Sequence, residues 1–326
     1  MPREIVHWQV AERAGQLLAS GPLGPALARC PGGLRYGAVF HDVLYYLHDG
    51  RGRHPQAVRE LPGRLHGTQG EDTFELLRLY APHLYARQDS PLPQAFFVGL
   101  AAHIFTDAAL HPLVYHFTGN YHDADPVRRS AAVRRHRVLE ALMDMAAAGG
   151  PAALTQRSLK EVVHSLEGQL ALACPPELLG RLAGVDPAAV GRALDAALQT
   201  HCTMQALARR PRLAGLLRGL SGMLPGRFRE LAALFYAPQL WGQRAAVAGE
   251  LAHCNPATGK ASTLTLAGLM ELAAHQTAEF CSAQAPMLLA RGELTGSAPG
   301  PSLDLGLPGA VTSQARHFAL LPLLQE

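Results

Sequence analysis

The spacing His103-x-x-x-Asp107-x-x-x-His111, followed by His136-x-x-x-Glu140, constrains this chain more than any other feature. An α-helix brings residues i and i+4 onto one face, with Cβ atoms roughly 5–6 Å apart. Side chains at that separation can share one ion. Zinc accepts imidazole nitrogen and carboxylate oxygen at about 2.0–2.2 Å. The two runs therefore predict a metal site built from helices, with hydrolysis as its expected use.

Helical periodicity also dominates elsewhere, and strand signals are sparse. Helices are predicted at about 5–19, 37–48, 71–85, 93–110, 127–147, 156–172, 186–207, 227–248 and 264–290. Pro112 should end the His103 helix just past His111. A polar loop is expected at 116–126, after which Asp125-Pro126 should open the next helix, Asp as cap and Pro in the first turn. The expected fold class is all-α: a multi-helix bundle with additional C-terminal helices. Residues 1–148 would form a metal-binding helical core and 149–290 a helical extension packed on the same core. Residues 291–326 read as loop and terminal segment, with 291–312 a loose linker.

The 326 residues are 48% hydrophobic and 17% charged, a globular composition with enough length for a large core. A net charge of +3 does not suggest a dedicated nucleic-acid binder. Lys160 and Lys260 are the only lysines, so much of the Arg content reads as compositional bias. The five cysteines include no C-x-x-C pair, which argues against a disulfide framework and against cysteine-bound zinc. The N-terminal MPREIVHWQVAERAGQLL has a helical pattern without the apolar core of a signal peptide. No run of about 18 apolar residues is evident, so no membrane span is expected. A cytoplasmic location is the expectation.

Eleven of the 16 histidines lie in residues 1–140, which places the expected site in that half. Upstream of the two runs, His7, Asp42 and His66 are further candidates. Asp42 sits in GAVFHDVLYYL, an otherwise apolar helix, and a carboxylate there needs a partner because burying an unpaired charge is costly. A metal would serve. His48, His54, His83, His164, His201, His253, His275 and His317 read as surface or structural. His116 and His122 could stand behind the ligands or replace His111.

The segments MPREIVHW, GAVFHDVLYY, LHG, GLAAHIFTDAALHPLVYH and HRVLEALMD resemble the zinc-dependent phospholipase C family, which is related to single-strand-specific zinc nucleases. The resemblance covers about residues 1–147 well. AHCNPATGKASTLTLAGLMELAAHQTAEF is similar, less specifically, to the C-terminal part of small bacterial members. The resemblance implies a mostly α-helical fold with zinc ions, two or three here, in a cleft. It implies one ion on Asp42, His66, His103 and Asp107, and a second on His111, His136 and Glu140. A third would take His7, a shared Asp107 oxygen and the N-terminal amine and carbonyl. Excision of Met1 would make Pro2 that terminus.

The implied reaction is phosphodiester hydrolysis by metal-activated water, with Asp42 as ligand, general base, or both. The implied substrate is a phosphodiester, phospholipid by the family's name, with peripheral membrane contact. Phe40, Tyr45, Tyr46, Phe96, Phe97 and Tyr115 are candidate lipid-facing aromatics. Arg128, Arg129, Arg134, Arg135 and Arg137 could hold phosphate, or form a solvated face. Two other readings stay open. His41-Asp42 is a His-Asp dipeptide, as in HD-type phosphohydrolases, and a nuclease-like enzyme is related to that option. The other is a non-catalytic, metal-stabilised helical binding protein.

Overall fold

The computed structural model describes residues 4–47, 54–166 and 168–324. The Pro2 and His48 expectations lie outside them. The architecture is all-α: fifteen α-helices and one two-stranded antiparallel sheet are present among the described residues. The helices that carry the site and its surroundings are α1 (Glu4–Leu17), α2 (Pro31–Val43), α3 (Gln56–His66), α4 (Glu75–Ala86), α5 (Pro91–Thr118), α6 (Pro126–Ala148), α7 (Pro187–Ala208), α8 (Pro211–Gly219), α9 (Gly226–Ala232) and α10 (Leu266–Arg291). Other helices of eight residues or fewer fill the intervals. Strands β1 (Glu250–Cys254) and β2 (Ala261–Thr265) pair with Glu250 opposite Thr265.

The central element is α5. Its cap is Ser90, whose side chain accepts from Leu92 N, and Pro91 occupies the first turn. The helix is apolar on nearly every face, so it must be surrounded. Helices α1, α2, α4, α6 and α10 all pack on it. It is also long and apolar enough to cross a membrane by length and composition alone. In this fold, 83% of its most apolar window is buried.

The crossing of α2 and α5 is set by two glycines. A Cβ on Gly37 would lie 2.3 Å from Phe96 O, and one on Gly99 would lie 2.3 Å from Leu34 O. The two backbones therefore touch, which brings Asp42, five residues past Gly37, beside His103, four residues past Gly99.

Several boundaries differ from the sequence expectations. Helix α2 begins at Pro31 and runs through Gly32 and Gly33, ahead of the expected start at 37, and ends at Val43 rather than 48. Helix α3 was absent from the predicted set, because Pro62 and Gly63 interrupt its pattern. Pro112 does not end α5, which continues to Thr118 and absorbs the start of the expected 116–126 loop. Proline removes one hydrogen bond and clashes locally, but burial of Leu113, Val114 and Phe117 holds the last turns in place. The β1–β2 hairpin was also unexpected; its polar, Thr-rich second strand lacks the apolar alternation that marks a strand. Asp125 caps α6 as the dipeptide predicts, accepting from Val127 N and Arg128 N.

The segment after α10 is not loose. Ser302, Leu303, Asp304 and Leu305 are buried, and Leu303 N donates to His66 O at 2.9 Å. This strap crosses the face of the molecule that holds His66 and His111.

Candidate metal centre

Helices α2, α3, α5 and α6 deliver histidines and carboxylates to one buried region. The Asp42, His66, His103 and Asp107 side chains each offer a ligand atom, and these atoms lie within 4.8 Å of one another. His111, His136 and Glu140 form a second group with the same property. All seven residues are buried.

The hydrogen bonds fix the imidazole tautomers. His66 Nδ1 lies 2.7 Å from Pro62 O, His103 Nδ1 lies 2.8 Å from Ala38 O, and His111 Nδ1 lies 3.0 Å from Leu303 O. A carbonyl oxygen can only accept, so each Nδ1 carries the proton and donates. In the neutral ring each Nε2 is then a bare lone pair. Those three lone pairs face carboxylate oxygens, which also accept. An N–H committed to a backbone carbonyl is the usual device for orienting a metal-bound histidine.

The separations suit a shared cation. Two ligands of a tetrahedral zinc, each about 2.1 Å from it, are about 3.4 Å apart. His66 Nε2 is 3.1 Å from Asp42 Oδ1 and 3.6 Å from Asp107 Oδ2. His103 Nε2 is 3.6 Å from Asp42 Oδ1 and 3.2 Å from Asp107 Oδ2. Asp107 turns its other oxygen elsewhere: Oδ1 is 3.3 Å from His7 Nε2 and 3.7 Å from His111 Nε2. Glu140 Oε1 is 2.9 Å from His136 Nε2 and 3.6 Å from His111 Nε2. His103 Nε2, both Asp107 oxygens and His111 Nε2 are buried without a hydrogen bond of good geometry. Orphaned acceptors at tetrahedral-edge distances fit a divalent cation. These residues could hold one ion in each group, with Asp107 facing both.

Charge follows the same pattern. Burial opposes ionisation of Asp107 and Asp42, but the surrounding imidazoles outweigh it and hold both carboxyls below the ordinary range. Burial pushes His111 down to about 3, keeping the ring neutral at pH 7. His136 is also held well down by burial. Burial acts on His103 too, but Asp107 and Asp42 prevail and raise it. The centre is anionic and attracts positive charge.

His7 is fully buried on α1 and stacks on His103, with centroids 4.3 Å apart and planes 4° off parallel. Asp144 on α6 holds it there from a distance, accepting from Val6 N at 2.9 Å. His41 stacks on His103 at 4.6 Å and stands outside both ligand groups. His116 faces the hairpin, with Nδ1 2.8 Å from His317 O. His122 reaches the cavity but joins neither group.

A cavity of about 580 Å³ opens over the centre, lined by Asp42, Tyr46, His66, His111, Tyr115, His136, Glu140 and Asp304 among others. Asp304 was missed by sequence reasoning because its segment reads as linker. Its Oδ1 is 3.8 Å from His111 Nδ1, its Oδ2 accepts from Thr312 Oγ1 at 2.5 Å, and burial raises its pKa. The only hint was an acid within the apolar run Leu303–Leu307. Among the arginines, Arg137 lines the cavity. Arg128 pairs with Asp123, and Arg135 donates to Thr118 O. Of the aromatics, Phe40, Phe96 and Phe97 are core rather than lipid-facing.

Fold and centre together define an all-α protein with a buried two-part histidine–carboxylate site under a cavity. The zinc-dependent phospholipase C family matches residues 6–168, half of the chain and all the helices that supply these ligand atoms, and the chain belongs to that family. No curated protein and no solved structure matches it.

Proposed function

We propose that the chain is a zinc-dependent phosphodiester hydrolase acting on a phospholipid, with Asp42 as the residue that takes the proton of the attacking water. One observation carries this reading. Three histidines commit their Nδ1 protons to backbone carbonyls and turn Nε2 lone pairs toward Asp42, Asp107 and Glu140 beneath a cavity. Zinc held there would lower the pKa of water toward ~7 and neutralise charge on a phosphoryl oxygen.

The chain's own groups do the rest. Asp42 lines the cavity and stays ionised at neutral pH, because His103 and His66 outweigh its burial. An ionised carboxylate beside a water can accept its proton in the transition state. His66 Nε2 lies 3.1 Å from Asp42 Oδ1, a separation that a cation shared by the two would bridge. Tyr115 lines the same cavity, and burial keeps its phenol protonated, so it can donate to a phosphoryl oxygen. The apolar walls around Tyr46, Phe228 and Leu231 suit an acyl chain. Asp107, His111, His136 and Glu140, with His66 and His103, are the proposed ligands, and His7 with Asp107 Oδ1 is the proposed protein side of a third site.

The test is turnover of p-nitrophenyl phosphorylcholine, bis-p-nitrophenyl phosphate and single-stranded DNA by protein purified without chelator. Release from the choline ester, abolished by chelator and restored by zinc, is expected. Preference for single-stranded DNA would move the assignment to a nuclease. No chelator-sensitive turnover, with zinc bound, would leave only the structural reading.

A further inference from the structure

We propose that the surface formed by α8, the turn after it and α9 docks on an anionic phospholipid bilayer and passes lipid to the metal cavity. The proposal rests on the hydrolase reading and names the surface from which its substrate would arrive.

Ten large hydrophobic side chains are exposed among the described residues, and five of them fall between 216 and 231. Leu216 is 59% exposed, Met223 84% and Phe228 58%; Leu220 and Leu231 complete the set. Single exposed hydrophobics need no explanation, but a cluster of this kind marks an interaction site. Helices α8 and α9 and the Ser221–Met223 turn between them pack on one another, so the five share one region of the surface.

Charge selects the partner. Between 210 and 231 the chain carries Arg210, Arg212, Arg218, Arg227 and Arg229 against the single acid Glu230. Arg210, Arg212 and Arg227 are exposed. A second copy of the chain would bring like charges together around its apolar centre. An anionic membrane would instead be attracted, by about 1 kcal/mol, or about fivefold in partitioning, for each arginine near its surface. Apolar side chains ringed by arginine are the pattern of interfacial segments.

Position completes the argument. Arg227, Phe228 and Leu231 also line the cavity over the metal centre. Helix α9 is tied to α6, the helix of His136 and Glu140, through Ser130 Oγ to Glu230 and Arg137 to Glu230 O. The exposed apolar cluster therefore shares Phe228 and Leu231 with the wall of the cavity over the metal centre.

The experiment is vesicle flotation of the full chain against phosphatidylcholine vesicles with and without phosphatidylglycerol. The L216E/M223E double variant is compared with the native sequence, since neither residue lines the cavity. Thermal melting and soluble p-nitrophenyl phosphorylcholine turnover are measured on both. The native protein should float with the anionic vesicles. The double variant should lose at least about tenfold in partitioning while its melting and soluble turnover hold. Equal flotation of both proteins, or none by the native one, overturns the docking surface. So does a native dimer that the double variant converts to monomer, since the apolar face would then belong to a second copy. Intact vesicle binding with no turnover of any phosphodiester overturns the hydrolase reading instead, so the two failures are separable.

Discussion

Asp107 is the residue on which the centre turns, because each of its oxygens faces a different set of imidazoles. Asp107→Asn should therefore reduce bound zinc at more than one position, whereas Glu140→Gln should affect one. Elemental analysis of the purified variants checks this, with turnover expected to fall by more than the roughly 10–100-fold typical of losing an outer partner. His111 gives a pH prediction. Its folded pKa of about 3 lies below the ordinary 6.5 of a free ring. Between those values the unfolded chain binds a proton that the folded chain does not. The stabilising contribution is complete above pH 6.5 and is lost as pH falls toward 3, by at most about 1.4 kcal/mol per pH unit. His103 shifts the other way and opposes this trend. The isolating comparison is chelator-treated native protein against His111→Gln. The fall in urea midpoint from pH 7 to pH 5 should be shallower in the variant.

At the level of elements, the site exists because helices cross closely at small residues. Gly99 leaves no room for a methyl group: its Cβ would meet Leu34 O at 2.3 Å and Ala38 N at 2.8 Å. Ala38 O is also the acceptor for His103 Nδ1. Gly99→Ala should therefore destabilise the fold by about 1–3 kcal/mol and weaken zinc retention as well, read by thermal melting and by metal content after dialysis. A purely structural glycine would change the first and spare the second. This crossing also explains what the sequence disclosed. The His103, Asp107 and His111 spacing was legible because it lies within one helix, as was His136 with Glu140. Asp42 and His66 stood out as polar residues in apolar or turn contexts, but only the α2–α5 crossing and the return of α3 bring them in. The same proximity was invisible at Asp304, 197 residues after Asp107, in a strap whose order comes from packing rather than periodicity. Helix α3 and the course of α5 past Pro112 were misread for a related reason. Burial overrode local propensity at Pro62, Gly63 and Pro112, and burial cannot be seen from a window of sequence.

Across the whole molecule, the centre is where early and late parts of the chain meet. Leu303 O orients His111, Leu303 N donates to His66 O, and Leu303 and Leu305 are fully buried. The C-terminal strap is thus part of the candidate metal site even though it lies beyond the 6–168 family match. Metal and strap should stabilise each other, since an ion bound only by the folded state adds about 4 kcal/mol at a thousand times its dissociation constant. Chelation should then lower the melting temperature, and protease cleavage between Arg291 and Gly300 should become faster in the chelated protein than in the zinc-loaded one. A chain ending at Gly292 leaves Leu303 O out, so the His111 ring is no longer held in its tautomer. Such a chain should retain the Asp42, His66, His103 and Asp107 group more firmly than the His111, His136 and Glu140 group. Its zinc content should fall by about one ion relative to the full chain, while far-ultraviolet circular dichroism stays helical. A full-length Asp304→Asn protein, which keeps the strap and Leu303 O, should hold that ion. If truncation and Asp304→Asn remove zinc equally, the carboxylate rather than the carbonyl is what secures His111.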